Sequence, residues 1–140
     1  MTSTYALMCS NKRIQDALKW RPKYGDIVVT PDDRQSIVVW IEACTGFITL
    51  YLEGRGYKRY ELIWLPRVED WLEMLSGELW KVTHYRKTKG HGDHFVLYLD
   101  DNGRDHSEAE FYGSDLNQIY CQAFMWTQGL KWENNQWERS

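Results

Sequence analysis

Between positions 26 and 64 the chain passes through four β-rich runs, 26–30 (DIVVT), 36–42 (SIVVWIE), 47–53 (FITLYLE) and 58–64 (KRYELIW), separated by breaks of four or five residues. A crossover between parallel strands needs a dozen or more residues, so such short breaks permit only antiparallel neighbours. The breaks also carry turn chemistry. Pro31-Asp32-Asp33 and Thr45-Gly46 are turn clusters, and Gly54-Arg55-Gly56 reads as a hairpin because glycine accepts the positive φ of tight turns. An antiparallel meander over 26–64 is therefore predicted.

Outside the meander the period changes. Ser10 stands where an N-cap is wanted, and Ile14, Ala17 and Leu18 follow at helical spacing until Trp20-Arg21-Pro22, which predicts a helix over 10–19. Val68, Trp71, Leu72 and Leu75 predict a second helix over 66–76, with Pro66 in its first turn and Glu69 and Asp70 at its anion-favouring end. Strands are expected at 79–86, 95–99 and around 108–112, the last two joined through Asp101-Asn102-Gly103. A third helix, 114–128, is capped by Ser114, carries Leu116, Ile119, Tyr120 and Ala123 on one face, and ends at Gly129. The fold class expected is α+β, one domain over 1–140, a mainly antiparallel sheet packed with about three helices in a sandwich-like arrangement. Trp132 and Trp137 carry enough apolar surface to make the closing segment structural rather than a tail.

The formal net charge of −3 offers no global attraction to nucleic acid or to an anionic membrane. Its distribution is uneven: residues 1–90 hold 14 basic and 11 acidic side chains, residues 91–140 hold 3 and 9. Cys9, Cys44 and Cys121 lie far apart without Cys-x-x-Cys spacing, which suggests neither a disulfide framework nor a zinc knuckle; Cys44 and Cys121 read as buried thiols. No apolar run approaches the length of a membrane span and no export leader is evident, so a soluble, cytoplasmic protein is expected.

KGHGDHF, at 89–95, invites a metal reading through His91 and His94, with His84 and His106 as further ligands. A glycine-flanked loop is poorly preorganised for the three or four convergent ligands a metal demands, so no metal and no cofactor are expected. Asp100, Asp101, Asp105, Glu108 and Glu110 fail the calcium-loop pattern, because Asp105 stands where glycine is required. Neither a nucleophile elbow nor a phosphate-cradling loop is present, so no catalytic residue is assigned. The most suggestive stretch is 54–60, where Arg55, Tyr57, Lys58, Arg59 and Tyr60 interleave cations with rings. It is assigned as the partner-binding surface, against the plainer reading of a charged hairpin tip that keeps an edge strand soluble.

Trp64-Leu65-Pro66-Arg67 followed by Asp70, Leu72, Glu73 and Met74, together with Leu116, Ala123, Phe124, Gly129, Lys131, Trp132 and Trp137, resembles a group of small uncharacterised phage- and prophage-encoded proteins. The order of elements is similar, more weakly, to the phage α-β-α sandwich domain. These resemblances imply a phage origin, a three-layer or two-layer α/β fold, no known chemistry and no catalytic residue to carry over; the cytoplasm expected above is then that of the host cell. The function expected is that of a non-enzymatic phage accessory protein binding a macromolecular partner. An acidic protein or a second copy of the chain is the favoured partner, nucleic acid less so, and no membrane. The alternatives are a metal-dependent nucleic-acid-processing enzyme built on the acidic hairpin and histidines, and an inhibitor of a host defence protein.

Overall fold

The computed structural model describes residues 3–75, 80–85, 94–100 and 107–139. The chain divides into two compact units, Met1–Pro66 and Arg67–Ser140. Helices accompany antiparallel strands in each, and every described strand pairing is antiparallel, so the class is α+β.

The first unit opens with two short helices, α1 (Thr4–Cys9) and α2 (Lys12–Leu18), where the sequence predicts one. Ser10 closes α1 instead of opening the next helix, and α2 starts from Asn11, whose side chain accepts a 2.9 Å hydrogen bond from Arg13 N–H. Ser3 caps α1 in the same manner, accepting from Ala6 N–H at 3.0 Å. The strands β1 (Ile27–Val29), β2 (Gln35–Ile41), β3 (Ile48–Leu50) and β4 (Gly56–Tyr57) then form the predicted meander. A 3-10 turn at Arg59–Glu61 leads to β5 (Ile63–Trp64), which pairs back onto β1 and gives the order β4-β3-β2-β1-β5. The sheet curls around the buried side chains of Val28, Val38, Ile48, Leu50 and Tyr57, and a register shift between Val38 and Trp40 adds local twist.

Two features of the meander differ from expectation. The run 58–64 is not one strand: the Glu61 carboxylate accepts from Lys58 N–H at 2.9 Å and winds the chain into the 3-10 turn. The reversal between β3 and β4 takes its positive φ at Leu52 (60°), not at Gly54 or Gly56. Gly56 is needed for close approach instead, since a Cβ there would stand 3.2 Å from Phe47 Cβ.

In the second unit α3 (Val68–Met74) begins with Asp70 accepting from Arg67 N–H at 2.9 Å. The strands β6 (Trp80–Tyr85), β7 (His94–Asp100) and β8 (Ser107–Gly113) form an antiparallel sheet. α4 (Leu116–Thr127) packs against α3, β7, β8 and β9 (Leu130–Glu133). Asp115, not Ser114, is its cap and accepts from Gln118 N–H at 2.9 Å. Trp71 is fully buried with its ring 5.8 Å from Phe124, and Phe111 meets Trp126 edge-on at 6.3 Å. β10 (Gln136–Arg139) pairs with β9 across a two-residue turn in which Asn134 and Asn135 both take positive φ. That is the type I′ geometry whose twist suits a tight hairpin. The predicted Asp101-Asn102-Gly103 turn and Gly77 lie outside the described residues.

Candidate functional site

In the first unit an open cleft of about 820 Å³ lies between α2 with its following segment and the 3-10 turn leading into β5. Its geometry starts at Lys19, whose left-handed backbone (φ 50°) ends α2 and turns the chain inward. Trp20 follows, buried, with its ring stacked on Trp64 at 6.1 Å between centroids. Its indole N–H donates to the buried Asp26 carboxylate at 2.9 Å, and the same oxygen accepts from Lys23 N–H at 2.9 Å. The opposite wall is tied to this one by Arg59, whose guanidinium donates to the Trp20 carbonyl at 3.2 Å.

Gln15 fixes α2 against the edge strand. Its carboxamide accepts from Trp64 N–H at 3.0 Å and donates to Trp64 C=O at 3.0 Å and to Cys9 C=O at 2.8 Å, so one side chain supplies β5 with the bonds of a missing neighbouring strand. Replacing Gln15 by Ala should therefore cost about 1–3 kcal/mol, the range for leaving buried polar groups unsatisfied. A urea denaturation midpoint equal to that of the parent protein would show that water replaces the amide without loss.

The cleft is basic. Lys12, Lys19, Arg21 and Arg59 line it, with Asp16 as the acidic side chain among them. Lys12, Lys19 and Arg21 are exposed and have no ion-pair partner among the described residues. Leu62, 4% exposed, and the half-buried Ile63 supply an apolar floor beside Trp20. Tyr60 stands at the rim, 80% exposed, with the Lys58 ammonium 5.8 Å from its ring centroid.

The five residues assigned from sequence separate into two groups. Arg59 and Tyr60 line the cleft, and Lys58 adjoins them. Arg55 instead pairs with Glu61 at 3.0 Å and lies 4.2 Å over the ring of Tyr57, which is only 3% exposed. The Tyr57 hydroxyl donates to Glu53, and that bond together with burial raises its pKa. Glu53 continues the network to Arg34 at 2.8 Å, and Arg34 reaches Asp32 at 2.6 Å, a hydrogen bond that holds the Asp32 carboxyl at about 2. Tyr57 is thus a core ring with a polar tip, joined to a surface network rather than offered for stacking.

Of the histidine and carboxylate candidates, His91, His106, Asp101 and Asp105 lie outside the described residues. Of the rest, His94 pairs with Tyr85 and His84 with Phe95, so the two histidines occupy register positions of opposite parity. Asp100 pairs with Ser107 and Glu110 with Tyr98. Among the described residues no group of His, Cys, Asp and Glu is placed to hold a metal. Cys121 is buried as expected, but Cys44 is exposed, because β2 ends at Ile41 and Cys44 falls in the turn that follows.

Sequence reasoning missed the rest of the cleft, and it also missed an exposed apolar group on the first unit's sheet. Tyr24 stacks on Trp40 at 6.1 Å, with Trp40 58% and Ile37 44% exposed. In SIVVWIE the five positions 37–41 are all apolar, so no alternation marks which face of β2 points outward. No helix among the described residues is long and apolar enough to cross a membrane. Compared with protein-family models, curated proteins and solved structures, the chain matches none.

Proposed function

We propose that the protein is a non-enzymatic accessory protein, of phage or prophage origin, that works by holding an acidic protein partner on the first unit. The observation that carries this reading is the cleft: four cations against one carboxylate, around an apolar floor, on a molecule whose overall charge is negative. A local basic concavity on an acidic protein selects by short-range complementarity, whereas long-range repulsion opposes encounter with a nucleic-acid polyanion. Arg59 and Tyr60 are the central contacts, Lys58 extends them, and Arg55 and Tyr57 support the loop from behind. A second copy of the chain is the other acidic candidate, since residues 91–140 carry the excess of carboxylates. Inhibition of a host defence protein is one form this binding takes.

The test is co-purification from an infected or lysogenic host after nuclease treatment, using the parent protein and a Lys58→Glu/Arg59→Glu variant. An acidic protein should be retained by the first and lost from the second. With both components purified, affinity should fall at least about tenfold between 50 and 300 mM salt, as expected for a rim of charges. Retention by the variant at parental affinity would remove the cleft from the interface. Hydrolysis of nucleic acid with Mg²⁺, Mn²⁺ or Zn²⁺, abolished by carboxylate substitution, would replace binding by catalysis.

A further inference from the structure

We infer that the cleft recognises an extended acidic peptide segment built around one apolar side chain, not the flat surface of a folded acidic protein. This deepens the proposed function and rests on it. A volume of about 820 Å³ falls in the range of sites that enclose a ligand, roughly 300–1,000 Å³. Only a protruding or extended segment reaches the floor of such a cleft. That floor is apolar at Trp20, Leu62 and Ile63, and carboxylates pressed against it would lose their hydration with no hydrogen bond in return. An aliphatic side chain seated there gains the burial. Its flanking carboxylates then meet Lys12 and Arg21, which no other described side chain neutralises, and Arg59, which its bond to the Trp20 carbonyl already holds in place.

Single-stranded nucleic acid fits less well. Successive bases need successive exposed ring faces. The cleft offers one, Tyr60; Trp20 is only 4% exposed and its stacking partner is Trp64. Tyr60 is suited instead to close over the peptide from the rim, with its ring against the apolar side chain and its hydroxyl toward water.

Binding is read by fluorescence polarisation at about 150 mM salt with three labelled probes: a twelve-residue peptide of Asp, Glu and Gly with a central Leu, the same peptide with Ser for Leu, and oligo-dT of twenty nucleotides. The Leu peptide should bind at micromolar concentration, and the Ser peptide at least about tenfold more weakly, as the loss of one buried aliphatic side chain implies. Lys12→Glu/Arg21→Glu, two exposed positions outside the network of structural hydrogen bonds, should weaken the Leu peptide by at least about tenfold. Tyr60→Ala should reduce it while leaving the salt dependence unchanged. In ¹⁵N spectra the Trp20 indole resonance should move on addition of the Leu peptide.

Equal affinity for the Leu and Ser peptides would overturn the apolar anchor and leave an unspecific basic surface, with the proposed function intact. Failure of both peptides, when the co-purified acidic partner still binds, would overturn the linear-segment reading alone. Tighter binding of oligo-dT than of either peptide, lost in the double variant, would overturn both readings.

Discussion

Trp71→Ala is expected to destabilise the protein by about 3–5 kcal/mol, the range for large aromatic side chains removed from cores. Trp71 is fully buried on α3, and its ring meets Phe124 of α4 at 5.8 Å, so truncation leaves a void across a helix–helix contact instead of a pit that solvent can fill. Leu75, one turn further along the same face, is also buried and cannot move to fill the gap without uncovering itself. Total stabilities of 5–15 kcal/mol make this a large fraction of the whole. The comparison is a pair of urea curves for parent and variant. If the chain's two units melt in separate steps, the loss should appear in the step belonging to residues 67–140. A midpoint shift equivalent to less than about 1 kcal/mol would mean that Trp71 is not the centre of that core.

The helix containing Trp71 was legible because its signals agree: apolar spacing at i, i+3, i+4 and i+7, acids in the first turn, and a proline before it. The helix α4 was legible for the same reason, and its boundaries differ from expectation only because Asp115 outcompetes the neighbouring Ser114 for the Gln118 N–H. The failures lie where two local preferences compete. Ser10 and Asn11 are both good caps, and adjacent caps signal the end of one helix and the start of another, which spacing alone does not reveal. The run KRYELIW has the composition of a strand, but a glutamate three residues after Lys58 accepts its backbone N–H and shortens the strand to Ile63–Trp64. Leu52 takes a left-handed backbone that favours glycine, although Gly54 is two residues away.

The cleft was legible in halves. Arg59 and Tyr60 stood out because cations and rings alternate there, which is a local pattern. Lys12, Lys19 and Arg21 did not, because they lie some forty residues earlier, at the start of α2 and just past its end, where they read as ordinary solvated charge. What joins the halves is long-range: the Trp20–Trp64 stack, the Gln15 amide on β5 and the Arg59 bond to the Trp20 carbonyl. Each of these residues has an unremarkable local context. The same limit explains why Tyr57 read as a contact residue, since a ring one position from an exposed lysine gives no sign that its own side chain points into the core.

Removal of residues 130–140 is expected to destabilise the second unit by several kcal/mol and to lower its melting temperature. Leu130 is buried where β9 packs on α4, and loss of a buried leucine alone costs about 2–5 kcal/mol. Beyond it, Trp132 and Trp137 face each other across the hairpin with rings 5.1 Å apart and edge-on, a cross-strand aromatic pair of the kind that adds about 0.5–1.5 kcal/mol beyond its burial. The hairpin is held by its own turn, because Asn134 and Asn135 accept the two positive φ values that a two-residue connection imposes. A solvated tail would have no use for any of these features. The truncated protein should therefore melt lower and show a reduced urea dependence, since less surface is exposed on unfolding. A less drastic variant, Trp132→Ala, separates the pair from the leucine and should retain the greater part of the stability. If the truncated chain keeps the parental unfolding free energy in water, the hairpin contributes nothing to α4, and its tryptophans serve a surface instead.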